Sequence, residues 1–586
     1  MKNMAYFFKK WTPTIYVLLM ALIMLGYVQY DPYQIDGDAV SYMDIASSIL
    51  HGRWHEIVNG LWNPGYPALL ALGKLLTHAG RMQELYVFYW VNYCIFLGSI
   101  ACTWFFIQSI LQARSLFSTK HSEIEWTFSA SQIFLIGYAT VFLSWQNEFS
   151  LGKIRVDGLF ASLLLLAFGF LFRAVFTPSL LFDVGVGCSL GLAYLVKSPG
   201  FVLAAGIFFL LATYKIVAPE TKYRRWRIGI SIVAFSLVSD PYITALSMQK
   251  GRFDVGDSAR LNYAWYVSGT EPEHLLNNQH SRFGDAAVNL QHSEIQMPSS
   301  PIVMYFPHFQ HATYGPWFDP SYFNEGVKPR FNLLAQLQLT IQQSRHLFLF
   351  TVIHADVLAL LAFCIVCGMQ AGRALCLRWI LVMIYVILLF SIAMYLCVHF
   401  LDRYIAGQFW AACIATFAIL TYNKSKHTSL LKGASAFFAI VIVLHGVQSV
   451  VELRQTALLS GVEYGWQRTT EFDTASKLLA TGILPGDSVS CFRACNTGAY
   501  WARLAGIHVN SAIYDPLSML DTDYGPKLWQ GLPDKSKALQ ALRSVGDKAL
   551  VGYFEGPPVA RENWRHLAGD YYYLSLSVGN RMPTIR

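Results

Sequence analysis

Charge is what this sequence has least of. Only 14% of its 586 residues are Asp, Glu, Lys or Arg, against roughly a quarter in soluble domains, which excludes an ordinary cytosolic enzyme. A nucleic-acid partner is excluded too, because the longest basic cluster, Lys222 to Arg227, sits between two apolar runs and reads as a loop. The 10 cysteines show no metal spacing, and Cys364 and Cys367 share an apolar helix, where a free thiol acts as a small hydrophobe. His308-x-x-His311 lacks a third ligand at regular spacing, which argues against zinc. Clear internal halves are also missing, and few charges lie within the apolar runs. That weakens the alternative reading as a transporter or flippase of a lipid-linked substrate.

What is present is apolar. Hydrophobic residues make up 54% of the chain and aromatics 15%, as fits interfacial belts and a sugar- or lipid-facing surface. A spanning helix needs about 20 mostly apolar residues. Such runs occupy roughly 14–30, 86–111, 128–145, 158–177, 227–247, 346–370, 376–398, 405–422 and 433–451, with shorter candidates near 65–80, 184–197 and 200–217. Asp31-Pro32 follows the first run in place of a small-residue cleavage site, so that run reads as a retained anchor. Lys2, Lys9 and Lys10 point the amino terminus to the cytoplasm.

The same rule places Lys74 and Arg81 inside, with the set Lys215, Lys222, Arg224, Arg225 and Arg227, then Arg373 and Arg378, then Lys424, Lys426 and Lys432. The outward segments are then 31–63, 248–345, 399–404 and the tail after about 452. Parity objects: seven candidates before Lys215 would leave its loop outside, so one is re-entrant or another is missing. The expectation is about 11 to 13 spans in the plasma (inner) membrane, with the tail and working face extracytoplasmic.

From about residue 466 the pattern becomes that of a soluble α/β domain, 466–586, after a membrane domain 1–451. Helical stretches ending at Gly482, Gly506 and Gly546 each precede a short β-rich run, at Ser488–Phe492, Ile507–Ile513 and Ala549–Phe554. Glycine after a helix followed by a strand predicts a small parallel sheet with flanking helices. No glycine-rich phosphate loop follows these strands, so a lid or acceptor-docking role is favoured over a nucleotide site. An extracytoplasmic location permits a Cys491–Cys495 bridge, though its loop is small.

Four carboxylates, Asp31, Asp36, Asp38 and Asp44, lie just after the first span. Carboxylates are costly inside a bilayer, so these lie at or outside the interface. From Ala39 to Ser48, Val40, Met43, Ala46 and Ser47 share one helical face while Tyr42 and the carboxylates point away. This predicts a short amphipathic helix on the membrane with Asp36 and Asp38 at its amino end. The next helix opens at Pro64-Gly-Tyr-Pro67. In the long 248–345 loop, His308, His311, Tyr314, Trp317, Asp319 and Tyr322 suggest aromatic faces folded over a site.

Asp38-Ala-Val-Ser-Tyr42-Met-Asp44-Ile-Ala46, then Pro64-Gly-Tyr-Pro-Ala-Leu-Leu70, resembles the GT-C class of integral-membrane glycosyltransferases, in particular its protein O-mannosyltransferase and lipid A aminoarabinose transferase branch. Gly191-Leu-Ala-Tyr-Leu-Val-Lys197-Ser-Pro199 is similar to that family's Gly-Leu-Ala-x-Leu-x-Lys-x-Pro segment, and Asp402-Arg403-Tyr404 to its late Arg-Tyr pair. Arg155-Val-Asp157 resembles a further acidic position. The similarity spans roughly 14–450. It departs from the family where Ala39 follows Asp38 and a Glu is usual.

The resemblance implies a polytopic α-helical, GT-C-like membrane protein that moves a sugar from a polyprenyl-phosphate donor to a glycan, lipid or protein acceptor. It implies an acidic base in the first loop, either Asp38 or Asp36. Such a transfer needs a base for the acceptor hydroxyl and fixed positive charge for the departing phosphate. A one-step inverting displacement needs only one carboxylate. Arg403 suits the phosphate, which a guanidinium binds bidentately, although an Arg at a helix end also snorkels. Lys197 and Arg155 are further phosphate candidates, and Tyr42, Asp44, Asp157, Tyr404 and Trp317 are candidates for substrate contact. Asp157 either pairs with Arg155 or meets the acceptor. No cofactor is required, and a divalent metal near Asp36, Asp38 and Asp157 is compatible with the carboxylates but has no fixed ligand set.

Overall fold

A computed structural model describes residues 2–31, 35–118, 125–217, 226–269, 290–355 apart from 293, 294, 298, 300 and 302, then 358, 359, 362, 370, 371, 375–422, 446–455, 470–495, 499–513, 529, 532, 534–554, 556 and 563–576. The chain divides into two units. One comprises Met1–Asp31, Tyr89–Val267 and Phe331–Gly461, and the other Pro32–Phe88, Ser268–Arg330 and Val462–Arg586.

The first unit is helical. Among the described residues five helices are long and apolar enough to cross a membrane: Trp11–Tyr30, Glu84–Leu116, Asp157–Phe176, Trp226–Lys250 and Arg378–Leu396. Leu180–Val196, Pro199–Thr213 and Ala406–Ile419 are shorter apolar helices. The run at 128–145 forms helix Ala130–Ser144, opened by a Ser129–Gln132 capping box and closed by a π-helical turn, Trp145–Phe149. Helix Leu333–Ile353 begins well before the run expected at 346. Much of the 346–370 run, most of 433–451, and Lys222, Arg224, Arg225, Arg373, Lys424, Lys426 and Lys432 fall outside the described residues.

Two buried ionic pairs join separate elements of this unit, as an apolar interior favours. Arg227 binds Asp183 across two helices, with Nε 2.6 Å from Oδ2. Glu148, on the π turn, holds His354 Nε2 at 2.7 Å with both side chains almost fully buried. Helices Leu180–Val196 and Trp226–Lys250 approach closely because glycines line the contact. A Cβ at Gly187 would collide with the Ser231 carbonyl oxygen, and one at Gly191 would lie 2.7 Å from Val238 Cβ.

The candidate near 65–80 is a 13-residue helix, Gly65–Thr77, in the second unit. At a rise of about 1.5 Å per residue it reaches about 20 Å, short of a hydrocarbon core of about 30 Å. Lys74 loses its value as a topology marker, since its ammonium sits 2.6 Å from the buried Glu84 carboxylate.

The second unit contains a seven-stranded sheet. Its strands in chain order are β1 (Ile295–Met297), β2 (Val303–Tyr305), β3 (Ser488–Phe492), β4 (His508–Ile513), β5 (Ala549–Tyr553), β6 (Arg565–His566) and β7 (Tyr571–Ser575). Across the sheet they run β1-β2-β4-β3-β5-β7-β6. Only β4, β3 and β5 are parallel, so the expected parallel sheet forms the centre of a mixed one. Of the antiparallel flanks, β1, β2 and β6 escaped the sequence reading because strands of two or three residues have no measurable alternation, and β1 and β2 come from the distant long loop. Gly482, Gly506 and Gly546 all have positive φ, as a helix-ending glycine should. Cys491 and Cys495 are disulfide-bonded.

Candidate active site

The site residues form two clusters, one in each unit. In the second unit, helix Gly37–Leu50 carries the acids. Asp36 is its N-cap, with a carboxylate oxygen accepting from Ala39 N at 3.0 Å, and Asp38 stands in the first turn. Trp317 donates its indole Nε1–H to Asp38 at 3.2 Å, and its ring lies so close over the helix start that a Cβ at Gly37 would come within 2.7 Å of it. Gly37 between the two acids is thus a steric requirement. Ser41 Oγ donates to the Trp317 carbonyl at 2.8 Å and Trp62 Nε1 donates to the same oxygen at 3.0 Å. Tyr42 packs edge-on against Trp62 and Tyr66, at centroid distances of 5.4 and 5.7 Å.

This helix differs from the amphipathic one expected on the membrane surface. Every residue from Ala39 to Ala46 is buried, including Tyr42 and Asp44. The face that the sequence assigns to solvent is covered by the long loop, the 62–66 aromatics and a tail residue, none of which local periodicity registers. Asp44 Oδ1 takes Arg503 Nη1 at 2.5 Å and Thr313 Oγ1 at 2.9 Å, while Oδ2 takes Thr313 N at 2.7 Å. Burial lifts the Asp44 carboxyl above its usual range, and Arg503 and Thr313 pull against that.

The cationic cluster belongs to the first unit. Asp157 begins helix Asp157–Phe176, where a carboxylate complements the helix dipole. Its Oδ1 is 2.6 Å from Lys197 Nζ and its Oδ2 is 3.1 Å from Arg403 Nε. Lys197 ends helix Leu180–Val196 in extended backbone, just before Pro199 opens the next helix, so Pro199 and its Ser198 linker turn the chain where the ammonium is presented. Arg403 and Tyr404 lie on a 3-10 turn, Asp402–Tyr404. The Lys197 ammonium sits 3.6 Å from the Tyr404 ring centroid, and the Tyr395 ring packs against Tyr404 at a centroid distance of 4.8 Å. Arg155 is near enough for its charge to act on Asp157.

Two members of this cluster were not singled out by sequence. Burial first, then Arg155 and Arg403, pushes the Lys153 ammonium down, with Asp31 and Asp402 pulling against it, so Lys153 lies near both arginines. His399 stacks on Tyr266 at 4.3 Å and is pushed down to about 4 by burial, Arg403, His346 and Lys197. Lys153-x-Arg155-x-Asp157 was legible as alternating charge, but His399 had no local signal. The structure therefore gathers Arg155, Asp157, Lys197, Arg403 and Tyr404 in one unit and Asp36, Asp38, Tyr42, Asp44 and Trp317 in the other. Asp157 suits two cations better than a metal, since a dication would face Lys197 and Arg403. Among the described residues no group of three or more His, Cys, Asp or Glu has a metal-binding arrangement.

No family model matches the chain, and no curated protein matches it. Among solved structures it is similar to the crystal structure of ArnT from Cupriavidus metallidurans bound to undecaprenyl phosphate, at 12% identity and a TM-score of 0.43, over 96% of this chain and 98% of that one. The apo state of the same protein gives 12% identity and 0.43 over 96% and 97%. The oligosaccharyltransferase of Archaeoglobus fulgidus, in complex with Zn and sulfate, gives 12% and 0.48 over 92% and 68%. At 12% identity none of these assigns a residue role to this chain.

Proposed function

We propose that this chain is a membrane glycosyltransferase that moves a sugar from a polyprenyl-phosphate donor to the hydroxyl of an extracytoplasmic glycan, lipid or protein acceptor, with inversion. One observation carries the reading: Lys197 and Arg403, far apart in sequence, meet at Asp157 beside Lys153 and Arg155, at the ends of apolar helices. With Asp31 and Asp402 also acting on Lys153, the four cations still outnumber the three carboxylates. A membrane-anchored phosphate is the anion such a position suits.

In this reading Asp38 removes the acceptor proton as the sugar carbon bonds to the acceptor oxygen and the bond to phosphate oxygen breaks. Asp36 serves chiefly as the cap that holds the helix start. Arg403 and Lys197, with Arg155, compensate the charge left on the polyprenyl phosphate, while Asp157 and Tyr404 keep both cations oriented. The half-buried Trp317 offers aromatic surface to a sugar or acceptor, while Tyr42, buried against Trp62 and Tyr66, supports the acid helix. Asp44, with both oxygens engaged by Arg503 and Thr313, supports the helix rather than the substrate.

The test is transfer of labelled sugar from a polyprenyl-phosphate donor by purified protein. Asp38→Asn should lower kcat by about 10²- to 10⁴-fold, the usual worth of a general base, with the protein still monodisperse. Arg403→Lys should chiefly weaken donor use, since an ammonium cannot form the bidentate contact. Unchanged turnover in Asp38→Asn would remove Asp38 as the base.

A further inference from the structure

Arg503 lies in the tail, on the short helix Tyr500–Ala505, and is almost completely buried. Its guanidinium uses all three nitrogens. Nε and Nη2 hold the two oxygens of Glu84 at 2.6 and 2.9 Å, Nη1 holds Asp44 at 2.5 Å, and Nη2 also reaches Ser47 Oγ at 3.1 Å. Lys74 completes the group on Glu84 Oε2 at 2.6 Å. Two carboxylates and two cations balance, and the side chains of Asp44 and Glu84 are nearly or fully shielded from solvent. Both acids pull the guanidinium pKa upward more strongly than burial pushes it down.

We infer that Arg503 is a positioning residue for the acid helix, making the carboxy-terminal segment an obligate part of the catalytic machinery; this rests on the reading of Asp38 as base. Asp44 and Asp38 share helix Gly37–Leu50, so the grip on Asp44 is transmitted along a rigid element to the acid at its start. Thr313, the other partner of Asp44, lies four residues before Trp317, whose indole meets Asp38. The helix is thus held at its start by Trp317 and at its middle by both Thr313 of the same loop and Arg503 of the tail. A docking module that comes and goes joins through exposed polar contacts. This junction is buried, bidentate and charge-balanced, and a departure of Arg503 would leave Asp44 buried without a cation and Glu84 with Lys74 alone. Gly506, directly after the helix, has φ of +71°, and a side chain there would collide with the Arg81 guanidinium. The tail helix is therefore seated at a second point on the same unit.

The experiment compares full-length Arg503→Met, Arg503→Lys and the charge-balanced double variant Asp44→Asn, Arg503→Met, which leaves Glu84 paired with Lys74. It reads kcat and KM for sugar transfer and amide exchange across residues 37–50. Arg503→Met should lower kcat by about 100-fold, as small misplacements of a reacting group do, with donor KM within about twofold and faster exchange in helix Gly37–Leu50. Arg503→Lys should recover part of kcat, and the double variant should exceed Arg503→Met by about tenfold because no buried charge is left unpaired. Unchanged exchange and kcat in Arg503→Met would overturn the inference, as would a loss that the double variant fails to relieve. If Arg503→Met does not fold, Arg503→Lys decides: a kcat loss at unchanged KM supports positioning, and wild-type kcat defeats it. Inert Asp38→Asn with active Arg503→Met sinks only this inference, whereas active Asp38→Asn sinks the functional reading itself.

Discussion

His399 reports on the charge that the functional proposal depends on. Burial, Arg403, His346 and Lys197 together push it down to about 4, so it is neutral at pH 7. Its folded value lies below the ordinary value near 6.5, so the stability it contributes is present above about 6.5 and is lost as pH falls toward about 4. An anion bound by Lys197 and Arg403 would cancel part of the positive field and raise the histidine. Following His399 by NMR with and without a polyprenyl phosphate should show an upward shift on binding, and Arg403→Gln should raise it without ligand. A His399 that ignores both would place the anion elsewhere. Residue identity was the most legible scale in the sequence: Asp36, Asp38, Lys197 and Arg403 were all candidates there. Their partners were not, because Asp157 and Arg403 are brought together by the fold and not by spacing.

At the scale of elements, the close approach of helices Leu180–Val196 and Trp226–Lys250 determines where Lys197 emerges. Glycine-lined contact lets the backbones meet, and the Asp183–Arg227 pair fixes their register. Gly187→Ala should therefore destabilise the protein by about 1–3 kcal/mol, the range for overpacking, while Gly229→Ala, with open space around it, should be neutral. Thermal unfolding in detergent compares the two, and equal melting temperatures would show that the helix pair tolerates separation. Span positions were legible because a run of about 20 apolar residues is a local sum. The π turn at Trp145–Phe149 and the strands β1 and β2 were not, since each depends on partners distant in sequence.

For the whole molecule the discriminating issue is topology. With helix Gly65–Thr77 withdrawn from the list of spans, the 78–83 segment should face the same side as the tail. A cysteine at Gly80, where nothing lies within 4 Å of a new Cβ, should in a cysteine-free background react with an impermeant maleimide from the extracytoplasmic side. Labelling only after permeabilisation would restore that helix as a span. The scarcity of charge, 14% of residues, determined by itself that the protein belongs to a membrane and where most spans lie, because hydropathy and the basic-loop rule sum over neighbours. Which of those few charges meet was decided by tertiary structure alone. Asp44 finds Arg503 and Asp157 finds Lys197 and Arg403 because a buried charge is tolerated only beside its complement, and that complement can come from anywhere in the chain.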